Sequence, residues 1–366
     1  MNAPARPTIP APIAMLAELT HRCPLSCPYC SNPLNLTKRD AELPTEVWVN
    51  VFEQAADLGV LQLHLSGGEP ASRRDLVDLV RAARDAGLYT NLITSAIGLT
   101  ERRLKELDDA GLDHVQLSLQ GTDADMADRI GGYRGGFAGK MQAAQWIVDA
   151  GFPLTLNAVV HRQNLHQLPR AIEMATEMKA RRIEVAIVQF HGWAMDNRAA
   201  LMPTREQAAE AGRTVAEARV RLKGQLVIDY VPADYHGDYP KRCMGGWGTT
   251  GLNVTPEGKV LPCHAAETIP HLKFDNVHDK PLSDIWYKGT AFQAYRGDDW
   301  MQEPCRSCDR RKIDFGGCRC QAMAIAGDPA ATDPVCIKSP LHGRMVELAE
   351  GFAGDDTNAL TYRVGP

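Results

Sequence analysis

Residues 23–30 read Cys23-Pro24-Leu25-Ser26-Cys27-Pro28-Tyr29-Cys30 and directly follow Ile13–Leu19, an apolar run typical of a β-strand. The cysteines have the spacing C-x3-C-x2-C. Three thiolates on one short loop can hold three irons of a [4Fe–4S] cluster. No fourth cysteine lies nearby in the sequence, so one iron would stay open to a ligand with an amino and a carboxylate group, such as S-adenosylmethionine (SAM).

Two other interpretations of the cysteine loop stay open: a structural zinc site and three unrelated buried thiols. A zinc site normally pairs two short cysteine motifs at a set distance, which this loop lacks. The chain has ten cysteines, and in the cytoplasm thiols are expected to stay reduced rather than to form disulfides. Metal binding, as an iron–sulfur site, is therefore favoured.

Around this loop the sequence alternates strand-like and helix-like segments. The predicted strands are Ile13–Leu19, Leu61–Leu65, Tyr89–Thr94, His114–Leu119, Leu154–Val160 and Arg182–Phe190. The predicted helices are Thr45–Leu58, Arg74–Ala86, Glu101–Ala110, Gly139–Ala150 and Leu168–Lys179, with a further one near Thr204–Lys223. Successive βα units form a parallel sheet with right-handed crossovers. Six units are fewer than the eight of a closed barrel, so we predict an α/β fold, an open, partial (β/α)6 TIM-like barrel with ligands at the carboxyl ends of its strands.

Local signals mark the ends of these helices. Thr45 is the expected N-terminal cap of the first helix, and Gly59 is its expected end. Gly87, Gly111 and Gly151 are expected to end three further helices in the same way.

Gly67-Gly68-Glu69-Pro70 follows the second predicted strand. Alone, the run can be a turn before a helix. Glycines let the backbone approach a ligand closely, and Glu69 offers a carboxylate to an ammonium group. Together with the cysteine loop and its aromatic Tyr29, the run resembles the signature of the radical SAM superfamily. The resemblance implies that these four residues bind the methionyl amine of SAM.

Other strand-end residues are weaker candidates for the SAM site. They are Thr94, Ser95, Ser118, Gln120 and Asn157. The run Ser118–Gly121 resembles the family's S-L-D-G run near the SAM ribose, but Gln120 stands where Asp is usual. Asn157 can instead be a strand-end residue with its own hydrogen bonds. His64 and His161 are expected in the core or on the surface rather than as ligands.

Residues 232–342 form a second predicted region, with seven of the ten cysteines and only short elements. Thr250–Thr255 and Val260–Leu261 are typical of a small hairpin, and Leu282–Arg296 is typical of one helix. Such a segment buries little apolar surface alone, so bound metal is expected to hold it together.

The cysteines of this region resemble the SPASM extension of radical SAM enzymes that modify peptides. Asp314 occupies the third cysteine position of the usual C-x2-C-x5-C-x3-C run. The resemblance implies an outer auxiliary cluster on Cys305, Cys308, Asp314 and Cys336. It implies an inner auxiliary cluster on Cys243, Cys263 and Cys318, with Cys320 as the expected fourth ligand. Cys320 lies outside the standard run.

Two properties of these clusters stay open. A carboxylate can coordinate iron, but Asp314 can also be a surface residue in a cluster completed by another ligand. Four ligands suit both [2Fe–2S] and [4Fe–4S] clusters, so the nuclearity of the inner cluster is undecided.

Over about residues 10–345 the chain resembles the radical SAM enzymes of pyrroloquinoline quinone (PQQ) biosynthesis. The runs that carry this resemblance are Ala17–Cys23, Gln189–Ala194, Asn197–Thr204 and Arg242–Trp247. It implies an enzyme that joins a Glu side-chain carbon to a Tyr ring carbon in the precursor peptide PqqA. It also implies the chaperone PqqD as a partner, an external reductant such as flavodoxin, and an auxiliary cluster as electron acceptor. His191, Trp193 and Tyr133 are candidates to line the peptide channel, or else to pack the barrel mouth.

Composition excludes several other classes of protein. Hydrophobic residues make up 44% and charged residues 23%, as in globular proteins. The net charge of −5, without clustered Lys and Arg, argues against nucleic-acid binding. No run is long and apolar enough for a signal peptide or a membrane span, so we expect a cytoplasmic protein without membrane contact. The expected order is a flexible arm (1–12), the barrel (13–231), the SPASM region (232–342) and a tail (343–366).

Two competing functions stay open. The first is another SPASM peptide maturase, which would form a thioether or other cross-link in a different precursor. The second is an iron–sulfur electron carrier, which would need neither an open iron nor the glycine-rich run at residues 67–70.

Overall fold

A computed structural model describes residues 9–351 and 359–366. The strands of this part of the chain are β1 (Ala14–Thr20), β2 (Gln62–Gly67), β3 (Tyr89–Thr94), β4 (His114–Leu119), β5 (Leu154–Val160), β6 (Arg182–Ile187), β7 (Val227–Val231), β8 (Gly251–Val254) and β9 (Val260–Leu261). Its α-helices are α1 (Thr45–Leu58), α2 (Leu76–Asp85), α3 (Glu101–Ala110), α4 (Ala124–Gly131), α5 (Gly136–Asp149), α6 (Leu168–Glu177), α7 (Trp193–Asp196), α8 (Arg198–Leu201), α9 (Arg205–Arg221), α10 (Leu282–Lys288), α11 (Thr290–Gln293), α12 (Arg311–Asp314), α13 (Arg319–Ala326) and α14 (His342–Glu350).

The strands form a single open sheet in the order β7-β6-β5-β4-β3-β2-β1-β8-β9. Neighbouring strands from β7 to β8 are parallel, and only the β8–β9 pair is antiparallel. Along β2 and β4 the burial alternates, so that Leu63, Leu65 and Leu117 are fully buried, whereas His64 and Gln116 on the opposite face are half-buried. Strands β1–β6, with the helices between them, confirm the predicted partial barrel.

Both edges of the barrel carry strands that were not assigned to the sheet from sequence. On one edge β7 continues the sheet, with Arg182 paired to Val227. On the other edge the predicted hairpin is confirmed as β8 and β9, and β8 pairs with β1 at Ala14 and Gly251. Backbone hydrogen bonds therefore join the cysteine-rich region directly to the strand that precedes the first cysteine loop.

Helix α1 shows how the apolar pattern packs the barrel wall. Its inner face buries Trp48, Val51, Phe52, Ala55 and Leu58. Gly59 ends the helix as predicted, in a left-handed conformation with φ 104°. The predicted capping role of Thr45 is wrong, because Pro44 precedes the helix and the Thr45 hydroxyl donates to Asp75 at 2.7 Å. Thr45 ties α1 to the start of α2 instead.

Two helical regions differ from those predicted from the sequence. The predicted helix Leu282–Arg296 is two short helices, α10 and α11, because Gly289 between them has an extended backbone (ψ 129°). Helix α4 was not predicted. Its start is stabilised by the Asp123 side chain, which accepts from the N–H of Met126, and Gly132 ends it at φ 62°. At eight residues, α4 is too short to give a clear helical period.

The cysteine-rich region has a small apolar cluster of its own. It contains Trp247, Ala265, Ala266, Ile269, Tyr295 and Cys320. Of the predicted arm, residues 1–8 lie outside the described residues, and the carbonyl of Pro10 accepts from the indole N–H of Trp286 at 3.0 Å. Within the described part of the chain, no helix is long and apolar enough to cross a membrane.

Candidate active site

The first cysteine loop leaves the carboxyl end of β1. Cys23, Cys27 and Cys30 are free thiols. Burial, together with the charges of the neighbouring thiols, raises the pKa of Cys27 to about 12. Burial and the charge of Glu69 raise the pKa of Cys23 to about 11. Buried thiols of this kind lose their protons when a metal takes the proton's place, so this donor set fits an iron–sulfur cluster.

The glycine-rich run after β2 lies against the backbone that leads into the cysteine loop. The N–H of Gly68 donates to Thr20 at 2.5 Å, and the N–H of Glu69 donates to the carbonyl of Arg22 at 2.7 Å. A Cβ atom on Gly68 would lie 2.3 Å from that same Arg22 oxygen, and Gly67 has φ 121°. Only glycine allows this approach, so the run and the loop form one unit.

The carboxylate of Glu69 joins the ends of β2 and β3. It is fully buried. One oxygen accepts from the Thr94 hydroxyl at 2.7 Å and from the N–H of Ala71 at 3.0 Å. The other accepts from the N–H and the hydroxyl of Ser95 at 2.7 and 2.5 Å. The structure thus brings together three residues that the sequence assigned to the SAM site.

Of the remaining SAM candidates, Ser118 and Gln120 lie at the carboxyl end of β4, whereas Asn157 lies in the middle of β5. Ser118 and Asn157 are register partners on these strands. The amide of Asn157 donates to Glu184 at 3.2 Å, while the amide of Gln120 donates to the hydroxyl of Tyr29 at 3.1 Å. Gln120, which stands where the family usually has Asp, is therefore in direct contact with the cysteine loop.

Two buried residues beside the loop carry no sequence motif. The ammonium of Lys140, on α5, donates to the carbonyl of Ser118 and to Oε1 of Gln120, both at 2.5 Å. Burial lowers the pKa of Lys140 to about 8, against the charges of Cys27, Glu69 and Cys23. His161 is fully buried as expected, with its ring 5.7 Å from that of Tyr29. Both of its ring nitrogens lack a hydrogen-bond partner among the described residues.

The four cysteines assigned to the inner auxiliary site are gathered by the structure. Their thiols form a chain of hydrogen bonds, Cys243 to Cys318, Cys318 to Cys320 and Cys320 to Cys263. Hydrogen bonds from Cys243 and Cys320 hold the pKa of Cys318 well below its usual value. Although burial opposes the change, contact with Cys263 raises the pKa of His264 to about 9. The imidazole of His264 therefore interacts directly with this group of thiols.

The four residues assigned to the outer auxiliary site line one small cavity. They are Cys305, Cys308, Asp314 and Cys336. Asp314 is 7% exposed, so the surface interpretation of this residue is wrong. Its two oxygens accept from the N–H of Gly316 and from the guanidinium of Arg310, both at 3.1 Å. Each oxygen retains a lone pair for a metal.

None of these groups forms a site for a single ion. Among the described residues, no three His, Cys, Asp or Glu side chains are placed to hold one metal ion. The ligands of an iron–sulfur cluster bind different irons, so they do not need to converge on one point.

A cavity of about 530 Å³ lies between the barrel mouth and the cysteine-rich region. Its wall includes His21 and Ser31 beside the first cysteine loop, and His264 and Cys320 from the inner auxiliary site. His191 also lines it, with its ring edge-to-face with His264 at 6.4 Å. The cavity does not include Trp193, which is buried nearby, or Tyr133, which is 41% exposed.

Comparison with known proteins identifies the family. Residues 17–175 match the model of the radical SAM superfamily, and residues 243–309 match that of the SPASM iron–sulfur cluster-binding domain. The PqqA peptide cyclase of Rhizobium meliloti (strain 1021) is 65% identical over 98% of this chain and 95% of that protein. That of Ruegeria pomeroyi is 66% identical over 98% of this chain and 96% of that protein. The chain belongs to the PqqA peptide cyclase family.

Solved structures share the fold of this PqqA peptide cyclase family member. SuiB of Streptococcus suis, bound to SAM, has a TM-score of 0.73 at 21% identity, over 90% of this chain and 77% of SuiB. Native anSMEcpe with bound AdoMet has a TM-score of 0.60 at 14% identity, over 93% of this chain and 97% of anSMEcpe. At these identities the likeness concerns the fold alone. As a radical SAM enzyme with a SPASM region, the family member uses SAM and iron–sulfur clusters.

Proposed function

We propose that this chain joins a Glu side-chain carbon to a Tyr ring carbon within the precursor peptide PqqA during PQQ biosynthesis. The observation that carries the proposal is the 65% identity, over nearly the whole chain, to a relative named PqqA peptide cyclase. The reaction removes one hydrogen atom from the Glu carbon, and a proton and an electron from the Tyr ring. An unactivated CH2 group does not react with a phenol ring through side-chain chemistry, so a radical cofactor is needed.

In this proposal the first cysteine loop and the strand ends around it hold the radical source. Cys23, Cys27 and Cys30 hold a [4Fe–4S] cluster, and SAM contacts Gly67, Gly68, Glu69, Pro70, Thr94, Ser95, Ser118, Gln120 and Asn157. When bound and supplied with one electron, the cluster and SAM provide a 5′-deoxyadenosyl radical. Glu69 supports the assignment, because it offers buried negative charge to the SAM ammonium.

The two further ligand sets hold the auxiliary clusters. The inner set is Cys243, Cys263, Cys318 and Cys320, and the outer set is Cys305, Cys308, Asp314 and Cys336. We assign acceptance of the electron from the Tyr ring to the inner site. Support comes from Cys320, which lies in the wall of the 530 Å³ cavity, whereas the outer residues line a different cavity.

The cavity between the barrel and the cysteine-rich region is the proposed binding site of the reacting peptide residues. Its volume is within the range of about 300–1,000 Å³ that is usual for ligand sites. It extends from Ser31, next to the first cysteine loop, to Cys320 at the inner auxiliary site. A peptide held there would have its Glu carbon near the radical source and its Tyr ring near the electron acceptor. His191 is the sequence-predicted channel residue that this placement supports.

The proposal includes two protein partners, for which support comes from the family resemblance. The chaperone PqqD presents the peptide, and an external reductant such as flavodoxin supplies the electron for the first cluster. Both would act from outside the cavity.

The mass of PqqA after anaerobic incubation tests the proposal. The reaction contains reconstituted protein, SAM, a reductant and PqqD, with Cys27→Ala as the matched control. We expect the peptide to lose the mass of two hydrogens and to give no backbone fragments between the linked Glu and Tyr in tandem mass spectrometry. In the control, both the peptide and SAM should stay intact. Unchanged peptide with accumulating 5′-deoxyadenosine would point to another precursor peptide. No 5′-deoxyadenosine from protein shown to carry its clusters would favour an electron carrier.

A further inference from the structure

Residues 361–363 lie against the first cysteine loop, although they are far from it in sequence. The backbone N–H of Arg363 donates to the carbonyl of Ser26, inside the loop, at 3.1 Å. Asn197 links the two segments further. Its side chain exchanges two hydrogen bonds of 2.7 Å with the backbone of Thr361 and donates to the carbonyl of Pro28 at 2.9 Å. The segment is therefore part of the wall around the loop.

The side chain of Arg363 enters the interior at this point. It is 3% exposed, and its guanidinium donates to the carbonyl of His21, two residues before the first cysteine. The Nε–H is buried and has no acceptor among the described residues. The positive charge of the guanidinium acts on both Cys23 and Cys30. A buried cation with an unused donor thus lies beside two of the three loop thiols.

We propose that Arg363 is a positioning residue for the SAM-binding cluster. The buried positive charge of its guanidinium makes that cluster easier to reduce. This inference rests on the proposed assignment of the cluster to Cys23, Cys27 and Cys30. Reduction adds a negative charge to a site that already contains thiolates and Glu69. A fixed cation stabilises the reduced form more than the oxidised form. Net charge and hydrogen bonds to sulfur are two of the properties that set the potential of such clusters.

The hydrogen bond of the guanidinium to His21 helps to anchor the segment, but anchoring does not require a buried charge. The backbone contacts of Thr361 and Arg363 already attach the segment to Asn197 and to the loop. Tyr362 adds another attachment, since its hydroxyl donates to the carbonyl of Arg129 at 2.9 Å. A shorter or neutral residue at 363 would keep the backbone contacts. The charge itself is therefore the feature that needs a role, and the thiols on which it acts are those of Cys23 and Cys30.

The test is a redox titration of the reconstituted full-length enzyme, followed by electron paramagnetic resonance. The SAM-binding cluster is recognised by the change of its signal when SAM is added. We expect Arg363→Gln to lower the reduction equilibrium constant about tenfold, a fall of about 59 mV for one electron. Two control variants should have the same reduction potential as the parent. Arg363→Lys keeps the charge, and Tyr362→Phe removes only an anchoring hydroxyl.

An unchanged potential in Arg363→Gln with full iron content would overturn the inference. If Arg363→Gln does not retain the cluster, the Arg363→Lys variant distinguishes between the two explanations. If the Lys variant keeps the cluster and its reduction potential, the charge is the important feature. If the Lys variant loses the cluster too, the inference is overturned. The cluster assignment is checked separately with Cys27→Ala. If the SAM-sensitive signal survives in that variant, the assignment fails rather than the role of Arg363.

Discussion

The ammonium of Lys140 lies 2.5 Å from Oε1 of Gln120, and this contact connects α5 to the end of β4 beside the first cysteine loop. Gln120 in turn donates to the hydroxyl of Tyr29, within the loop. The cation is thereby held close to Cys27, Glu69 and Cys23, whose charges act on it. A lysine in this position can offset negative charge on the loop and on a bound ligand.

Replacing Lys140 by Met should weaken SAM binding while the cluster is retained. The substitution removes the cation and leaves two buried acceptors without their donor, each at a cost of about 1–3 kcal/mol. We expect the dissociation constant of SAM to rise about tenfold, or about 1.4 kcal/mol, as measured by anaerobic equilibrium dialysis. Lys105→Met is the control, because Lys105 is 75% exposed and pairs with a surface Asp. Parent-like affinity in the Lys140 variant would contradict this role.

Glu69→Gln should reduce both stability and SAM affinity. Each carboxylate oxygen of Glu69 accepts two hydrogen bonds. The amide NH2 of a glutamine, placed at either oxygen position, would therefore point its hydrogens at other donors. Hydroxyl groups can turn, but the N–H groups of Ala71 and Ser95 cannot, so we expect a loss of about 1–3 kcal/mol in unfolding free energy. Thermal unfolding and SAM dialysis measure the two effects.

Asp113→Asn is the matched control for Glu69, since Asp113 also accepts from a backbone N–H and a hydroxyl, both of Thr90, at the amino ends of β3 and β4. It should leave SAM affinity at the parent value, because these strand ends lie away from the first cysteine loop. A Glu69→Gln protein that binds SAM as tightly as Asp113→Asn would show that the carboxylate serves only to connect β2 and β3.

The parts of the fold that could be predicted from sequence are those with a local physical signal. The six βα units follow from apolar periodicity, and Gly59 and Gly111 end their helices because a left-handed residue is needed there. The pairing of β8 with β1 had no such signal, because Ala14 and Gly251 meet only through the tertiary fold. Thr45 misled the capping prediction since its hydroxyl had a better partner in Asp75, far along the chain.

The residues of the candidate site also fall into those that the sequence can predict and those that only the structure shows. Cysteines and the glycine-rich run are recognisable because their chemistry demands a fixed spacing or a residue without a side chain. Lys140 and Arg363 lie next to the same loop, but each is a single basic residue in a segment without a motif. Their relevance depends on burial beside thiols, and burial of a lone cation is not encoded by neighbours in sequence.

Replacing Cys318 by Ala should separate SAM cleavage from peptide cross-linking. Cys318 contacts both Cys243 and Cys320, so its loss interrupts the chain of inner thiols. The first cysteine loop is on the far side of the cavity and should keep its cluster. We therefore expect 5′-deoxyadenosine to form while the mass of PqqA stays unchanged, as measured by liquid chromatography and mass spectrometry. Normal cross-linking in this variant would remove the inner site from the electron path.

Asp314 offers the sharpest test of the outer site, because another Asp of the cysteine-rich region is exposed. Asp314 is buried among Cys305, Cys308 and Cys336, whereas Asp299 is exposed. Asp314→Ala should lower the iron content by one cluster, Asp314→Cys should restore it with a thiolate, and Asp299→Ala should match the parent. Iron and sulfide analysis with absorption spectra measures the outcome. Full iron content in Asp314→Ala would limit Asp314 to its ion pair with Arg310, and the cluster would then need another fourth ligand.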